Sequence, residues 1–332
     1  MGFLDFDADL RIQNTNEDAL SNLKYSRSAV QAGYLNDSFV KYMIKDKAKI
    51  KRPPIINRGT YIRTVVIDKL IYSFLRSINP LQKKQIISFG AGSDTRYFNI
   101  MSDLGKTVNF IFHELDFPVV TKRKASIISK TPALYDLIHS SCNNFDDLKI
   151  DLFNGSILSP SYCLHPIDLR TLTSIFSLPK IDNDLPTLIL SECCLVYLEP
   201  HEADQLIQWC VNAFASKGSG IVIYEPIKNS DSFGKMMSRG ISFKTLDTYS
   251  TTEKQCTRLY NLGFTTYQKA ISIKQIFDEW SDHDDKIRIS KVELLDEVEE
   301  WNLLASHYCV AWGWIDEHEN GINWFMFIDS NF

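Results

Sequence analysis

The chain has 332 residues and a formal net charge of −5, with 44% hydrophobic, 23% charged and 12% aromatic residues. That length suits one large domain or two modest ones, the aromatic content excludes a disordered chain, and the acidic balance offers no global attraction for nucleic acid. No apolar run reaches the ~20 residues of a membrane helix, and the acidic start lacks the basic-then-apolar pattern of a signal peptide, so a cytoplasmic protein without a membrane partner is expected.

The seven cysteines are odd in number and include no CxxC, which reads as a reduced compartment. The histidines form neither HExxH nor a Cys/His ligand spacing, so no metal is expected. Residues 1–58 are polar, and a basic stretch from Lys41 to Arg52 ends at Pro53-Pro54. One or two helices within 16–44 are expected to lie over the core as an extension. The basic stretch reads as a solvated helix with a rigid exit, or as a docking surface for an acidic partner. Ile67, Leu70, Ile71, Phe74, Leu75 and Ile78 then recur at i, i+3, i+4, i+7, i+8 and i+11, predicting a helix with one buried face that ends at Asn79-Pro80. Arg63 stands at its front. Beside a nucleoside cleft, its planar fork would hold a carboxylate in two hydrogen bonds.

The stretch Gln85–Arg96, QIISFGAGSDTR, reads as a short apolar strand running into Gly90-Ala91-Gly92. Glycine accepts positive φ and has no Cβ, so such a turn lets the backbone approach a ligand. A second strand, Val108–Leu115, ends at Asp116, and a carboxylate there can accept both hydroxyls of a ribose. Asp94 occupies the place of the third glycine of a dinucleotide fingerprint, which favours a nucleoside cofactor without a pyrophosphate, such as S-adenosylmethionine, over NAD. The short crossover between the strands implies a parallel sheet. A helix is expected from Pro118 to about Lys130, and residues 131–161 read as a polar, irregular insertion, mobile or with a short helix of its own.

A third strand, Tyr162–Pro166, leads to Asp168-Leu169, where a polar side chain can reach an adenine amino group or simply make a turn. The fourth, Pro186–Glu192, is a continuous apolar run that ends in a carboxylate at the edge where open α/β sheets bind ligands. Cys193-Cys194 reads as two small packed side chains, and Tyr197 as core or as a cleft hydroxyl. A helix opens at Pro200 and buries Ala203, Leu206, Ile207, Cys210, Val211 and Phe214. A fifth strand, Gly220–Tyr224, follows. A second insertion spans about 227–262, with helices at Phe233–Gly240 and Thr251–Leu262. Beyond it are expected a strand at Thr265–Ile271 and helices at Lys274–Ser281 and Ser290–Leu304, the latter opened by a Ser290/Glu293 capping box. A hairpin of His307–Ile315 with Asn323–Ile328 would add antiparallel strands to one sheet edge. Nothing in composition asks for a second domain.

Several segments in order carry a more specific likeness: INRGTYIR (56–63), FGAGSDT (89–95), ELDFP (114–118), DLR (168–170), LPTLILSECCLVYLEP (185–200), YEP with DSFGKMM (224–237), and ELLDEVEE with HYCVAW (293–312). Together they resemble the leucine carboxyl methyltransferases, which methylate the C-terminal leucine of the protein phosphatase 2A catalytic subunit, and the likeness covers nearly the whole chain. It implies a class I S-adenosylmethionine-dependent methyltransferase, Rossmann-like, acting through the phosphatase tail and releasing S-adenosylhomocysteine, as a monomer. It also implies roles: Arg63 on the methionine carboxylate, Gly90 and Gly92 under the cofactor, Asp116 on the ribose, Asp168 and Leu169 at the adenine, and Glu192 near the amino-acid end. A basic residue ahead of Ala29–Tyr34 also contacts the cofactor in that family, and here Lys24 or Arg27 fills the position. Arg63 and Tyr197 are candidates to hold the leucine carboxylate. The competing readings are a small-molecule O-methyltransferase of the same fold and a non-catalytic phosphatase-binding module.

Overall fold

A computed structural model of the chain describes residues 23–44, 51–77, 81–172, 178–228, 231–234, 243–280 and 282–316. Nine strands join in one sheet: β1 (Lys84–Phe89), β2 (Phe110–Asp116), β3 (Lys149–Asp151), β4 (Ser156–Leu158), β5 (Tyr162–Pro166), β6 (Thr187–Glu192), β7 (Ser219–Pro226), β8 (Tyr267–Ser272) and β9 (Tyr308–Ile315), in the order β3-β4-β5-β2-β1-β6-β7-β9-β8. The five strands from β5 to β7 are parallel, while β9 and β8 add to β7 antiparallel. This is the expected Rossmann-like sheet, mostly parallel with antiparallel strands at one edge. Its order reverses at β1, which has β2 on one side and β6 on the other, and the crevice at such a switch point is where these sheets bind ligands. Every residue of β1 and β7 is buried, because helices cover both faces of the parallel strands.

The helix Pro54–Arg76 covers one face, burying Ile67, Leu70, Ile71, Phe74 and Leu75 as the spacing predicts. It begins nearly ten residues ahead of Arg63. Pro54 at its first position needs no N–H partner, and so starts the helix rather than merely marking an exit. Arg63 therefore sits within the helix. The end of this helix is tied to β1 by Lys84, a buried ammonium that donates to Leu75 O at 2.8 Å and Ser77 O at 3.0 Å; burial pulls its pKa down to about 8. On the other face, the helix Pro200–Phe214 buries the six residues expected of it.

Three expectations change. Residues 131–161 hold the short helix that was one of their two readings, Pro132–His139, and with it an antiparallel β3–β4 pair that was not expected, which extends the sheet at the edge opposite β8. Each strand is only three residues long, too short to leave an alternating pattern in sequence. Ser290 ends a helix, His283–Ser290, instead of opening one, and the next helix is Val298–Ser306. Glu293 lies between them and accepts from Asn57 Nδ2 at 2.8 Å, a contact across the fold that replaces the local cap. The antiparallel partner of β9 is β8 on one side and β7 on the other; the expected strand Asn323–Ile328, residues 16–22 and most of Phe233–Gly240 lie outside the described residues.

Glu114, in the middle of β2, is fully buried with Lys124 at 2.5 Å and the Tyr162 hydroxyl donating at 2.8 Å. Burial outweighs both partners and pushes its carboxyl up to about 7. The native state therefore binds this proton more tightly than the unfolded chain, and its contribution to stability is present below the ordinary carboxylate pKa and declines as pH rises to about 7. Glu114→Gln should flatten that decline in urea unfolding followed across pH; an unchanged slope would mean that the group titrates elsewhere.

Candidate active site

The site is assembled at the C-terminal edge of the parallel strands. Gly90 and Gly92 follow β1 with φ of 60° and 55°, the left-handed region that the glycine turn was expected to need. Gly90 has a second reason to lack a side chain: a Cβ there would stand 2.6 Å from Cys194 Sγ, so the turn after β1 and the loop after β6 fit only because the methyl is missing. Cys193 in that loop has φ of 48°, unusual for a residue with a side chain. Asp116, at the tip of β2, accepts from Gly92 N at 2.6 Å and Phe117 N at 2.7 Å. Burial raises its pKa while these two bonds lower it, and the carboxylate fastens the glycine turn to the second strand. Asp94, in place of a third glycine, accepts from the backbone of Arg96 at 2.9 Å, and its carbonyl accepts from Lys124 Nζ at 2.7 Å.

The centre of the site is an ion-pair network. Arg63 donates through Nε to Glu192 Oε2 at 2.6 Å, and its guanidinium lies 4.8 Å from the centre of the Tyr224 ring. Arg96 donates to the other Glu192 oxygen, to Asp68 at 2.6 Å and to Asp94 at 3.0 Å. Burial pushes the Glu192 carboxyl up, and the two guanidiniums together hold it below the usual carboxylate range. Asp68, with burial as the larger influence and Arg96 opposing it, is pushed up to about 6.

Two cavities meet at Arg63. One, of about 190 Å³, is walled by the glycine turn, Asp94, Arg96, Glu192 and, from the N-terminal helix, Leu23 and Ser26. The other, of about 200 Å³, is walled chiefly by Tyr25, Tyr197, Tyr224, Phe243, Trp301 and Tyr308. The N-terminal segment is tied to the first: Thr95 Oγ1 donates to Asp37 at 2.5 Å, and Asp37 in turn accepts from the backbone of Phe39 and Val40.

Arg63, Gly90, Gly92 and Glu192 thus share one wall, and Tyr197 stands with Arg63 in the second. Asp116 joins them through Gly92. Asp168 and Leu169 lie beyond the described cavity walls; Asp168 caps its own turn and pairs with Arg170 at 2.6 Å. On the N-terminal helix Arg27 is buried and Lys24 exposed, and neither forms part of those walls. Within the NRG-x-Y-x-R motif, Asn57 donates to Glu293, Arg58 lies over Phe277 and Trp301, and Tyr61 donates to Asp285, so these three lock the helix against the C-terminal segments, while Gly59, Thr60 and Arg63 line the aromatic cavity.

Reading by residue did not single out Arg96, Asp68 or Asp37. A signal existed for Arg96, a charged side chain directly after the glycine turn at the start of a buried helix. Asp68 gave none beyond standing five positions after Arg63. Motif spacing also leaves a possible ligand cluster invisible: His113, Cys163 and His165 are buried with ligand atoms within 4.8 Å of one another. They meet through the β2–β5 register, which sets His113 opposite Cys163. His113 Nδ1 and His165 Nε2 share a 3.0 Å hydrogen bond, and burial lowers both pKa values, that of His165 to about 4. By strand alternation they face away from Glu192, on the other side of the sheet.

The sequence has relatives of known family. Residues 15–211 match the family model for leucine carboxyl methyltransferase. The chain is similar to Leucine carboxyl methyltransferase 1 of Schizosaccharomyces pombe, 43% identical over 89% of this chain and 92% of that one, and of Aspergillus fumigatus, 41% identical over 91% and 82%. A homologue in Arabidopsis thaliana is 34% identical over 91% and 88%. With this breadth of similarity joined to the methyltransferase sheet and the Arg63–Glu192 cleft, the chain belongs to the leucine carboxyl methyltransferase family.

Proposed function

We propose that this methyltransferase uses S-adenosylmethionine to form a methyl ester on the α-carboxylate of a C-terminal leucine, and that the leucine is that of the protein phosphatase 2A catalytic subunit. The observation that carries the reading is Arg63, which borders both the polar glycine-turn cavity and the aromatic one.

The cofactor fits these residues. Two glycines with positive φ bring bare backbone to the polar cavity, Asp116 stands at the second strand tip, and the Arg63–Glu192 pair offers one charge of each sign for an amino acid's carboxylate and ammonium. Asp168 and Leu169 would serve the adenine, and Arg27 or Lys24 would approach from the N-terminal helix. Bound there, S-adenosylmethionine supplies an electrophilic methyl group on a sulfonium centre.

The chain's own residues then align and dry the nucleophile. An α-carboxylate ordinarily titrates at ~3.3–3.7 and is ionised at neutral pH, so no general base is needed. Among the described walls of the aromatic cavity the charged group is Arg63, and the polar ones are chiefly hydroxyls such as that of Tyr197. These orient a carboxylate by donating hydrogen bonds to it without transferring a proton to it. The rings of Tyr224, Trp301 and Phe243 exclude water, which raises the reactivity of a weakly nucleophilic carboxylate, and they offer an apolar surface to an isobutyl side chain.

The test is transfer of labelled methyl to purified phosphatase catalytic subunit. Incorporation is expected, as an ester released by mild alkali and abolished by deleting the terminal leucine. Alkali-stable label, or label that survives the deletion, would overturn the reading. Replacing the terminal leucine by alanine should lower kcat/KM about thirtyfold, the ~2 kcal/mol of a buried leucine side chain.

A further inference from the structure

We propose that Arg96 is a positioning residue of this site: it clamps Glu192 from the side opposite Arg63, so that Arg63 is free to turn to a ligand carboxylate while Glu192 stays in place as an anion. The inference rests on the proposed cofactor reading. Its physical basis is how the two oxygens of Glu192 are shared. Oε2 takes Arg63, and Oε1 takes Arg96.

The two arginines are not equivalent. Arg96 is fixed on three sides, since besides Glu192 it holds Asp68 of the long helix at 2.6 Å and Asp94 of the glycine turn at 3.0 Å. Its guanidinium joins three separate elements and cannot leave one carboxylate without straining the others. Among the described residues Arg63 has one ion-pair partner, Glu192, and the face of Tyr224. A side chain held in one direction can swing between the two cavities it borders.

The charges lead to the same assignment. Glu192 is faced by Arg63 and Asp68 from the long helix, by Asp94 and Arg96 from the turn and helix after β1, by Tyr224 from β7 and by its neighbour Cys193. If Arg63 turned to a ligand with Arg96 absent, Glu192 would remain in a desolvated site beside two other carboxylates. Such a carboxyl takes up a proton, and a neutral acid attracts an ammonium far less. Burial already pushes Glu192 upward, and Arg96 is the foremost influence opposing it.

The experiment compares wild type, Arg96→Gln and Arg96→Lys in calorimetric binding of S-adenosylmethionine between about pH 7 and pH 8.5, each also carrying Asp68→Asn, because Arg96 holds the Asp68 carboxyl down and its removal would let Asp68 titrate higher as well. Affinities are read as ratios to wild type at the same pH, which cancels the titration of the ligand's own ammonium, ordinarily at ~7.7–8.0. Arg96→Gln should bind about tenfold more weakly at the lower pH and regain about fivefold or more across the window as Glu192 ionises. Arg96→Lys keeps the charge, so its profile should be flat at an intermediate affinity. A flat profile for Arg96→Gln at wild-type affinity, or a steep one for Arg96→Lys, would overturn the assignment; the lysine variant decides alone if the glutamine variant does not fold.

A second readout needs no ligand. In urea unfolding, Arg96→Gln should lose stability relative to wild type as pH rises, because its native state holds the Glu192 proton more tightly than the wild-type native state does, and adding Glu192→Gln should remove part of that slope. If it removes none, Arg96 does not act through Glu192. A wild type that binds no S-adenosylmethionine would sink the cofactor reading, while this slope still judges the clamp.

Discussion

Arg63→Ala should weaken S-adenosylmethionine binding by about thirtyfold or more. A charge-assisted hydrogen bond to a carboxylate contributes about 1.5–3 kcal/mol, and about 2 kcal/mol corresponds to thirtyfold. The loss should exceed that of a surface arginine because Arg63 stands in a desolvated network and its partner Glu192 is itself largely buried, with side-chain exposures of 20% and 11%. The substitution also strips the aromatic cavity of its described charge, so methyl transfer should fall further than cofactor affinity alone accounts for. Arg63→Lys should lie between, since an ammonium supplies the charge without the two-pronged fork. Calorimetry and methyl transfer separate the two contributions. An affinity for the cofactor within about threefold of wild type, near 0.6 kcal/mol, would place the methionine carboxylate elsewhere.

Gly90→Ala should destabilise the fold by about 2–4 kcal/mol, the sum of a left-handed backbone for a residue with a Cβ and of overpacking against Cys194. The expected signature is a lower urea midpoint at unchanged slope. Cys194→Ala in the same chain should remove the Sγ contact but neither the 3.0 Å approach to Cβ nor the backbone conformation, so the double variant should be more stable than the sum of the two single changes by about 1 kcal/mol. Strict additivity would show that the 2.6 Å approach to Sγ is not what excludes a side chain at this position. The result bears on the site as well, because Gly90 sets the turn whose next glycine is bonded to Asp116.

Both expectations join what sequence reading supplied to what it lacked. The central strands were legible because a strand covered on both faces carries an apolar run, as at Leu188–Leu190, and because β2 and β6 end at the acids Asp116 and Glu192 and β1 runs into Gly90, where the chain turns out of the sheet. The start of the helix at Pro200 and its six buried positions were legible, since six apolar residues at helical spacing admit one buried face. The β3–β4 pair was not. Strands of three residues carry no period, and they exist because β5 offers an edge to pair with. The Ser290/Glu293 box failed for a related reason. Glu293 found a better partner in Asn57, 236 positions away, than in the backbone beside it.

The sequence by itself determined the family, the parallel sheet, and the residues at the strand tips, Gly90, Gly92, Asp116 and Glu192, because local chemistry at a strand end depends on neighbours in the chain. Only the tertiary structure decided the network. Arg96 reaches Asp68 across 28 positions and Glu192 across 96, and Arg63 reaches Glu192 across 129. An ion pair depends on the distance between charged groups and on how little water lies between them, and neither quantity exists until the long helix is laid across the sheet. For the same reason the sequence could name Arg63 for the methionine carboxylate and as a candidate for the leucine carboxylate, but only the structure sets it on the border of two cavities.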